Sequence, residues 1–302
     1  MAARWFSRRL FVTAGVAGAI GAIASSGRRV VAQEENLKSK KVTSKDGTRI
    51  AFDRAGDGPA LILVGGALSE RSAWAPLAKL LAPRFSVISY DRRGKGDSED
   101  TQPYSVAREI EDIETLINEA GGKVFVHGQS SGAALALQAT AKFPAKVQKL
   151  SLYEPPFITD DSRPPPPENF MKHINELIAA NRRGEAVEYW MTDVVLAPAE
   201  AVAQMKSAPT WPALEAMVHT LAYEVAVLGD NMAGKPLPAD RWTTAKVPTL
   251  VMDGSASPAW IRNSARALAG LLPNAQHRTL EGQAHVAAPE VLAPEIERFF
   301  LG

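Results

Sequence analysis

The sequence contains no cysteine, which excludes disulfide bonds, thiolate metal sites and a cysteine nucleophile. It also lacks an excess of charge of either sign, because 34 basic residues balance 33 acidic ones and give a formal net charge of +1. A chain this close to neutrality offers no broad basic surface for nucleic acid. We therefore expect a small-molecule partner and no polynucleotide.

Histidine is scarce as well, and its spacing argues against a metal site. The five histidines stand at positions 127, 173, 219, 277 and 285. No two of them have the i, i+4 spacing that lets one face of a helix hold a metal ion. We expect no metal, and the chemistry inferred below needs no other cofactor.

The first 32 residues have the character of an export signal. Arg8 and Arg9 precede an apolar run of small residues from 10 to 26, and the run Val30-Val31-Ala32 suits signal peptidase. The paired arginines resemble a twin-arginine signal. Retention as a membrane anchor is the alternative, although four glycines between 15 and 27 leave the run weakly apolar and barely long enough to span. We expect removal after Ala32, a periplasmic or extracellular protein, and no stable membrane insertion.

In the rest of the chain, apolar runs alternate with amphipathic stretches. The run Ala60–Val64 is uninterrupted apolar sequence, as expected of a strand buried on both faces. Asp46-Gly47 before it suits a tight hairpin turn. Further strands are predicted at Ser86–Tyr90, Lys123–His127, Val147–Tyr153, Pro248–Met252 and Gln276–Leu280, and helices at Ser72–Leu81, Ala107–Ala120, Gly132–Phe143 and Trp260–Leu272. This alternation predicts an α/β fold with a doubly wound, mostly parallel sheet.

The alternation stops between Pro155 and Trp242, where the sequence predicts several helices and no strand. Such an insertion is expected to cover the active edge of the sheet as a helical cap. Its large apolar side chains either line a pocket for an apolar substrate or pack helix on helix; they include Tyr189, Trp190, Met191, Trp211, Met217 and Tyr223. We predict a core of residues 33–156 and 243–302 and a cap of residues 157–242.

The motif Gly128-Gln129-Ser130-Ser131-Gly132 falls between a predicted strand and a predicted helix. In that context Gly-x-Ser-x-Gly is typical of a nucleophile elbow, a sharp turn that exposes the serine hydroxyl. Glycines flank the serine because side chains there would collide with neighbouring chain. The backbone N–H of Ser131, at the helix start, would point to where an oxyanion forms. Ser130 is therefore the candidate nucleophile.

Two further motifs make the sequence similar to the α/β-hydrolase family over essentially all of the chain after the signal. The run from Tyr90 to Ser98 resembles the Asp-x-Arg-Gly-x-Gly-x-Ser turn that follows the family's fourth strand. Gly282-Gln283-Ala284-His285 resembles its histidine loop, which precedes the last helix. The resemblance implies the α/β-hydrolase fold, with His285 as the base that activates Ser130.

The oxyanion loop departs from the family pattern at one position. Gly65-Gly66-Ala67 stands where the family usually has His-Gly-x, which makes the backbone N–H of Ala67 the implied second oxyanion donor. Because that donor is a backbone amide, glycine in place of histidine leaves the oxyanion hole possible.

The catalytic acid is the larger departure. Most family members carry an aspartate on the loop after the strand here predicted at Pro248–Met252, where this chain has Ser257. Serine has no charge with which to hold an imidazolium. Two carboxylates remain: Asp253, and Glu154 at the end of the strand Val147–Tyr153. Certain haloalkane dehalogenases and lactone hydrolases are similar in taking their acid after that strand. We expect Glu154, with Asp253 as the alternative.

These residues predict a serine hydrolase that cleaves carboxylic esters or lactones, most simply with an apolar substrate, through an acyl-enzyme. Amide cleavage, carbon–carbon bond hydrolysis and cofactor-free peroxidation use the same serine framework and remain alternatives. A protein that binds a small apolar ligand on a hydrolase scaffold is the alternative from another class, with the missing aspartate as its support. Intact Ser130 and His285 favour the enzyme.

Overall fold

The structure is a computed structural model that describes residues 40–302, so the predicted export signal lies outside the described residues. The described chain forms one eight-stranded sheet with the order β1-β2-β4-β3-β5-β6-β7-β8. Its strands are β1 (Lys40–Thr43), β2 (Arg49–Ala55), β3 (Ala60–Val64), β4 (Ser86–Tyr90), β5 (Val124–Gln129), β6 (Val147–Tyr153), β7 (Thr249–Gly254) and β8 (Ala275–Leu280).

The sheet is parallel from β4 to β8 and antiparallel at its first edge. The pairs β3–β4, β3–β5, β5–β6, β6–β7 and β7–β8 are parallel, whereas β1–β2 and β2–β4 are antiparallel. The predicted hairpin joins β1 to β2, and Gly47 takes the positive φ of 90° that its turn requires. The predicted α/β fold with a mostly parallel, doubly wound sheet is confirmed.

The helices of the described chain connect strands from β3 onward, and the last helix follows β8. They are α1 (Ala75–Leu81), α2 (Val106–Glu119), α3 (Ser131–Lys142), α4 (Phe170–Ala179), α5 (Arg183–Tyr189), α6 (Ala199–Lys206), α7 (Trp211–Met217), α8 (Leu221–Leu228), α9 (Ala259–Leu271) and α10 (Pro289–Leu301). The helix predicted at Ser72–Leu81 divides into a 3₁₀ turn at Arg71–Trp74 followed by α1. Pro76 explains the division, because proline lacks the N–H of a helix interior and is accommodated in the first turn.

The central strand β3 shows why these apolar runs form a two-sided sheet. Successive strand side chains point to opposite faces. Leu61 and Leu63 pack with residues of α1 and α10, whereas Ile62 and Val64 belong to a second cluster that includes residues of α2, α3 and α9. All five residues of β3 are buried, so the strand has a continuous apolar sequence.

Between β6 and β7 the described chain contains helices α4 to α8 and no strand. This helical insertion has an apolar cluster of its own, in which Ile174, Val187, Trp211 and Leu221 are buried. Leu68, from the loop after β3, joins the same cluster. The insertion therefore packs on the loop that follows β3. No helix within residues 40–302 combines the length and apolarity needed to cross a membrane.

Candidate active site

Ser130 lies on a strained turn between β5 and α3. Its φ of 57° and ψ of −133° are unfavourable for a residue with a side chain. A Cβ added to Gly128 would lie 2.6 Å from the carbonyl oxygen of Gly132, and one added to Gly132 would lie 2.3 Å from that of Val64. Both flanking positions therefore require glycine, which is the steric reason for the Gly-x-Ser-x-Gly motif.

The Gly65-Gly66-Ala67 loop lies directly against Ser130. A Cβ added to Gly66 would lie 2.8 Å from the Cβ of Ser130 and 3.3 Å from its Oγ. Ala67, Ser130 and Ser131 line one cavity, and Ser131 is buried as the first residue of α3. The structure thus brings together the candidate nucleophile Ser130 and both residues from which the sequence predicts oxyanion donors.

Two buried cations hold the carbonyl groups of this loop. Lys95 donates from Nζ to the carbonyl oxygen of Gly66 at 2.9 Å, and Arg92 donates from Nη1 to that of Gly65 at 3.3 Å. Each side chain is only 1% exposed. The motif after β4, identified from sequence as a structural turn, therefore supports the loop beside Ser130.

Two buried carboxylates compensate these cations. Glu224 of α8 lies 2.6 Å from the ammonium of Lys95 and 2.7 Å from the guanidinium of Arg92, and Glu109 of α2 lies 2.5 Å from Arg92. Burial by itself would raise the pKa of Glu224, but attraction to Arg92 and Lys95 outweighs it and lowers that pKa to about 2. Glu224 is therefore a carboxylate at neutral pH and links the insertion to the loop beside Ser130.

His285 is paired with Glu154, from which it is separated by 131 residues in sequence. The Nδ1 atom of His285 lies 2.7 Å from Oε2 of Glu154, and the other carboxylate oxygen of Glu154 accepts from the N–H of Gly254 at 2.8 Å. Glu154 is fully buried, with a positive φ of 48°. The pairing leaves Nε2 of the imidazole as the nitrogen available to a nucleophile.

Asp253 is occupied elsewhere. It is fully buried, and its Oδ2 lies 2.5 Å from Nε2 of His277 on β8. Each of the two candidate acids is therefore paired with a different histidine. The contact that the predicted role of Glu154 requires is present, whereas Asp253 is hydrogen-bonded away from His285.

Two residues that sequence reasoning missed hold the histidine loop. Gln129 donates from Nε2 to the carbonyl oxygen of His285 at 2.6 Å, and the hydroxyl of Tyr153 donates to that of Ala284 at 2.5 Å. Gln129 is the variable residue before the serine in the elbow motif, and this position next to Ser130 was the one sequence feature that could have indicated its role. Tyr153 carried no signal beyond its place at the end of a predicted strand.

The loop's close approach to β7 depends on a glycine. A Cβ added to Gly254 would lie 2.1 Å from the carbonyl oxygen of Gln283. Any other residue at position 254 would push the histidine loop away from the end of β7.

A cavity of about 330 Å³ joins Ser130 and His285 to the insertion. Its wall is predominantly apolar, and the insertion contributes Trp190, Met191, Val194, Leu196, Leu228 and Met232. The sequence left open whether the aromatic residues of the insertion pack together or line a pocket. Trp190 does both, whereas Trp211 packs within the insertion. The ring of Tyr223 stacks on that of Tyr104, with 3.8 Å between the ring centres. Such a cavity suits a small, largely apolar molecule.

His127, on β5 close to the elbow, belongs to the core. It is fully buried, its Nδ1 lies 3.0 Å from the hydroxyl of Ser151, and its ring meets that of Trp74 edge-on. Burial lowers the pKa of His127 to about 3. Across residues 40–302, histidine and carboxylate side chains form no cluster of three or more that could hold a metal ion.

Comparison with known proteins adds a family and a set of similar structures. The model of the "Alpha/beta hydrolase family" matches residues 61–295. An alpha/beta hydrolase from Sphaerobacter thermophilus is 53% identical, with a TM-score of 0.82 over 86% of this chain and 100% of that one.

More distant structures share the fold alone. An enol-lactonase from Burkholderia xenovorans is 18% identical (TM-score 0.64, covering 87% of this chain and 100% of that one). The 2-hydroxy-6-oxo-6-phenylhexa-2,4-dienoate hydrolase from a Rhodococcus strain is 19% identical (TM-score 0.63, with the same coverage).

Curated relatives match over a shorter region. An uncharacterized protein of Mycobacterium tuberculosis is 34% identical over 117 residues, which are 38% of this chain. The matched region covers 34% of the length of that relative.

Proposed function

Because this chain belongs to the alpha/beta hydrolase family, we propose that it is a serine hydrolase that cleaves carboxylic esters or lactones through an acyl-enzyme. The observation that carries the proposal is the pairing of His285 with the buried carboxylate of Glu154, 2.7 Å away, at the cavity that Ser130 and His285 line. A serine, a histidine and a carboxylate in this relation generate a nucleophile at neutral pH.

In the first half of the reaction, Oγ of Ser130 attacks the acyl carbonyl carbon while Nε2 of His285 accepts the hydroxyl proton. Glu154 holds the imidazolium that results by its bond to Nδ1. The backbone N–H groups of Ala67 and Ser131 stabilise the oxyanion. His285 then gives its proton to the leaving alkoxide as the acyl–oxygen bond breaks, which leaves the acyl group on Ser130.

In the second half, a water molecule attacks the acyl-enzyme and gives its proton to His285. The tetrahedral intermediate collapses, the bond to Ser130 breaks, and His285 returns the proton to the serine oxygen. An ester yields a carboxylic acid and an alcohol, and a lactone yields one hydroxy acid.

We propose that the insertion acts as a cap that selects the substrate. Its side chains form most of the apolar wall of the cavity that contains Ser130. A cavity of about 330 Å³ is large enough for a small ester or lactone and too small for a macromolecule.

The test combines covalent labelling with turnover. A fluorophosphonate should react rapidly with Ser130, identified by mass spectrometry of the labelled peptide, and p-nitrophenyl esters of increasing chain length should be hydrolysed alongside lactones. Ser130→Ala should abolish labelling and lower kcat by at least about a thousandfold, because only binding and the oxyanion donors would remain. Ser207→Ala, which changes an exposed serine of the insertion, is the matched control.

Two results would contradict the proposal. A protein that binds esters and lactones without turnover, and whose Ser130 does not react with the probe, would be a binding protein. If the protein hydrolysed only carbon–carbon bonds, the serine mechanism would stand but the proposed substrate class would be wrong.

A further inference from the structure

Arg163 is a buried cation in the wall of the cavity that contains Ser130 and His285. It follows β6 in the segment that leads to α4, and it is 6% exposed. Most of the surrounding wall is apolar, including Trp190 and Leu228. Glu224, the carboxylate in this wall, is paired with Lys95 and Arg92 and is therefore not its counter-ion.

The contacts of Arg163 fix its guanidinium without neutralising it. Its Nε donates to the carbonyl oxygen of Pro164 at 3.0 Å and its Nη2 to that of Val194 at 2.9 Å. The ring of Trp260, another residue of the cavity wall, lies 4.6 Å from the guanidinium carbon. No carboxylate within residues 40–302 forms an ion pair with Arg163. Because a guanidinium has five N–H groups, donors remain after these two bonds.

Other buried arginines of this molecule have the carboxylate partner that Arg163 lacks. Arg92 lies 2.5 Å from the carboxylate of Glu109, and Arg93 lies 2.7 Å from that of Asp112. Arg163 is also buried but has no such partner, and burial lowers its pKa because no carboxylate offsets the loss of hydration. A buried charge of this kind is stabilised when an anion joins it.

We propose that Arg163 binds a carboxylate of the substrate, so that the preferred ester or lactone is one that carries a second, free carboxylate. The inference rests on the proposed ester or lactone hydrolysis and adds the substrate class. The planar fork of a guanidinium matches the two oxygens of a carboxylate. Arg163 supplies a single unpaired positive charge in a predominantly apolar wall, and one such charge balances one negative charge. This favours a carboxylate over a doubly charged phosphate.

The two ends of such a substrate have separate tasks. The free carboxylate lies at Arg163, the hydrocarbon part lies against the apolar wall, and the acyl carbonyl lies at Ser130. The free carboxylate takes no part in bond making or breaking; water is added across the acyl–oxygen bond, as for any ester. Arg163 is thus a specificity residue, and its removal should affect charged substrates more than neutral ones.

The first test compares turnover of matched substrates. The p-nitrophenyl hemiesters of succinic, glutaric and adipic acids are measured beside neutral p-nitrophenyl esters of similar length. We expect the parent protein to prefer a hemiester by at least about tenfold in kcat/KM. Arg163→Gln should lower kcat/KM for that hemiester about a hundredfold, mainly through KM, and should leave the neutral ester within about threefold. Arg163→Lys keeps the positive charge but loses the planar fork, so its kcat/KM for the hemiester should lie between those of the parent and of Arg163→Gln.

A matched control separates a specific role from a structural one. Arg183 also donates to two carbonyl oxygens of the insertion, those of Glu215 and Ala216, and it does not line this cavity. Arg183→Gln should leave the hemiester preference unchanged. If Arg163→Gln lowered kcat/KM equally for charged and neutral esters, or if the parent showed no preference for hemiesters, the inference would be wrong.

A binding measurement keeps the inference separate from the proposed function. Ser130→Ala protein, which cannot form an acyl-enzyme, should bind monomethyl glutarate more tightly than dimethyl glutarate by calorimetry. Adding Arg163→Gln should remove the difference. Loss of discrimination without loss of folding, monitored by Tm, supports the carboxylate site even if Ser130 proved unreactive. Equal binding of the two glutarates to Ser130→Ala would overturn the site, whatever the fluorophosphonate shows.

Discussion

Lys95 holds the carbonyl oxygen of Gly66 at 2.9 Å, on the loop that lies against Ser130. That carbonyl and the N–H of Ala67 belong to one planar trans peptide, so they point in opposite directions. Fixing the oxygen therefore fixes the direction of the N–H that is proposed to stabilise the oxyanion. We therefore expect Lys95 to act on the proposed reaction through this peptide, as a positioning residue.

Lys95→Met should lower kcat roughly tenfold to a hundredfold with little change in KM, because loss of a whole oxyanion donor costs about a hundredfold to a thousandfold. Affinity for a trifluoromethyl ketone, which forms an oxyanion on Ser130, should fall in parallel with kcat. Glu224→Gln removes an ionic partner of Lys95 but not its bond to Gly66. A larger loss of kcat in Glu224→Gln than in Lys95→Met would contradict the positioning role.

The two candidate acids make a matched pair of variants. Glu154→Gln should lower kcat by several orders of magnitude, approaching about ten-thousandfold, because an imidazolium at His285 would lose the charge that holds it. Asp253→Asn should cost little kcat, since its carboxylate faces His277. Measuring kcat for both beside the parent decides the assignment. A near-normal Glu154→Gln with a crippled Asp253→Asn would reverse it, and near-normal activity in both would mean that His285 works without a carboxylate.

The buried imidazole of His127 should make stability depend on pH. Its pKa is about 3 in the folded protein and about 6.5 in an unfolded chain, so below about pH 6.5 the unfolded state binds more protons. The free energy of unfolding should therefore fall as the pH is lowered, by about 2 kcal/mol between pH 7.5 and 5 from this group.

Urea unfolding of the parent and of His127→Gln at pH 7.5 and 5 measures that contribution. The variant should be less stable at pH 7.5, because the substitution disturbs a buried site, yet it should lose less stability on acidification. His173→Gln, which changes an exposed histidine, serves as the control. An unchanged pH dependence in His127→Gln would show that other groups are responsible.

The export signal remains a prediction from sequence, since it lies outside the described residues. Replacing Arg8 and Arg9 together by lysine should stop export, because the twin-arginine route reads the arginine pair and not charge alone. Cell fractionation, with N-terminal sequencing of the mature protein near Gln33, measures this. Arg4→Lys is the control outside the pair. If the double variant still appeared outside the cytoplasmic membrane in its mature form and at normal yield, the twin-arginine interpretation would be wrong.

Local patterns were sufficient to predict the sheet and the elbow. The strands β3, β4 and β6 have the predicted bounds. Every residue of β3 and β4 is buried, and β3 is a continuous apolar run, as expected of a strand covered on both faces. The elbow needs its two glycines for steric reasons that act within five residues. Such features depend on residues that are neighbours in the sequence, so the sequence is enough to predict them.

The supporting contacts could not be predicted in the same way. Lys95 and Glu224 are 129 residues apart, and Gln129 and His285 are 156 apart, so each contact exists only after distant elements have packed. The choice between Glu154 and Asp253 depended on side-chain direction, which strand alternation alone does not determine at the end of a strand. Arg163 gave no sequence signal, because whether an arginine has a counter-ion is a property of the folded chain.

The proposed acid after β6 has a consequence for how this protein can diversify. In the family pattern the loop after β7 must preserve a carboxylate, whereas here its residues Ser257 and Pro258 line the cavity and carry no proposed catalytic group. Substitutions there alter the wall that the substrate meets while the serine, histidine and carboxylate stay in place. Under the proposed assignment, substitutions in this loop can change the range of substrates while every catalytic residue is retained.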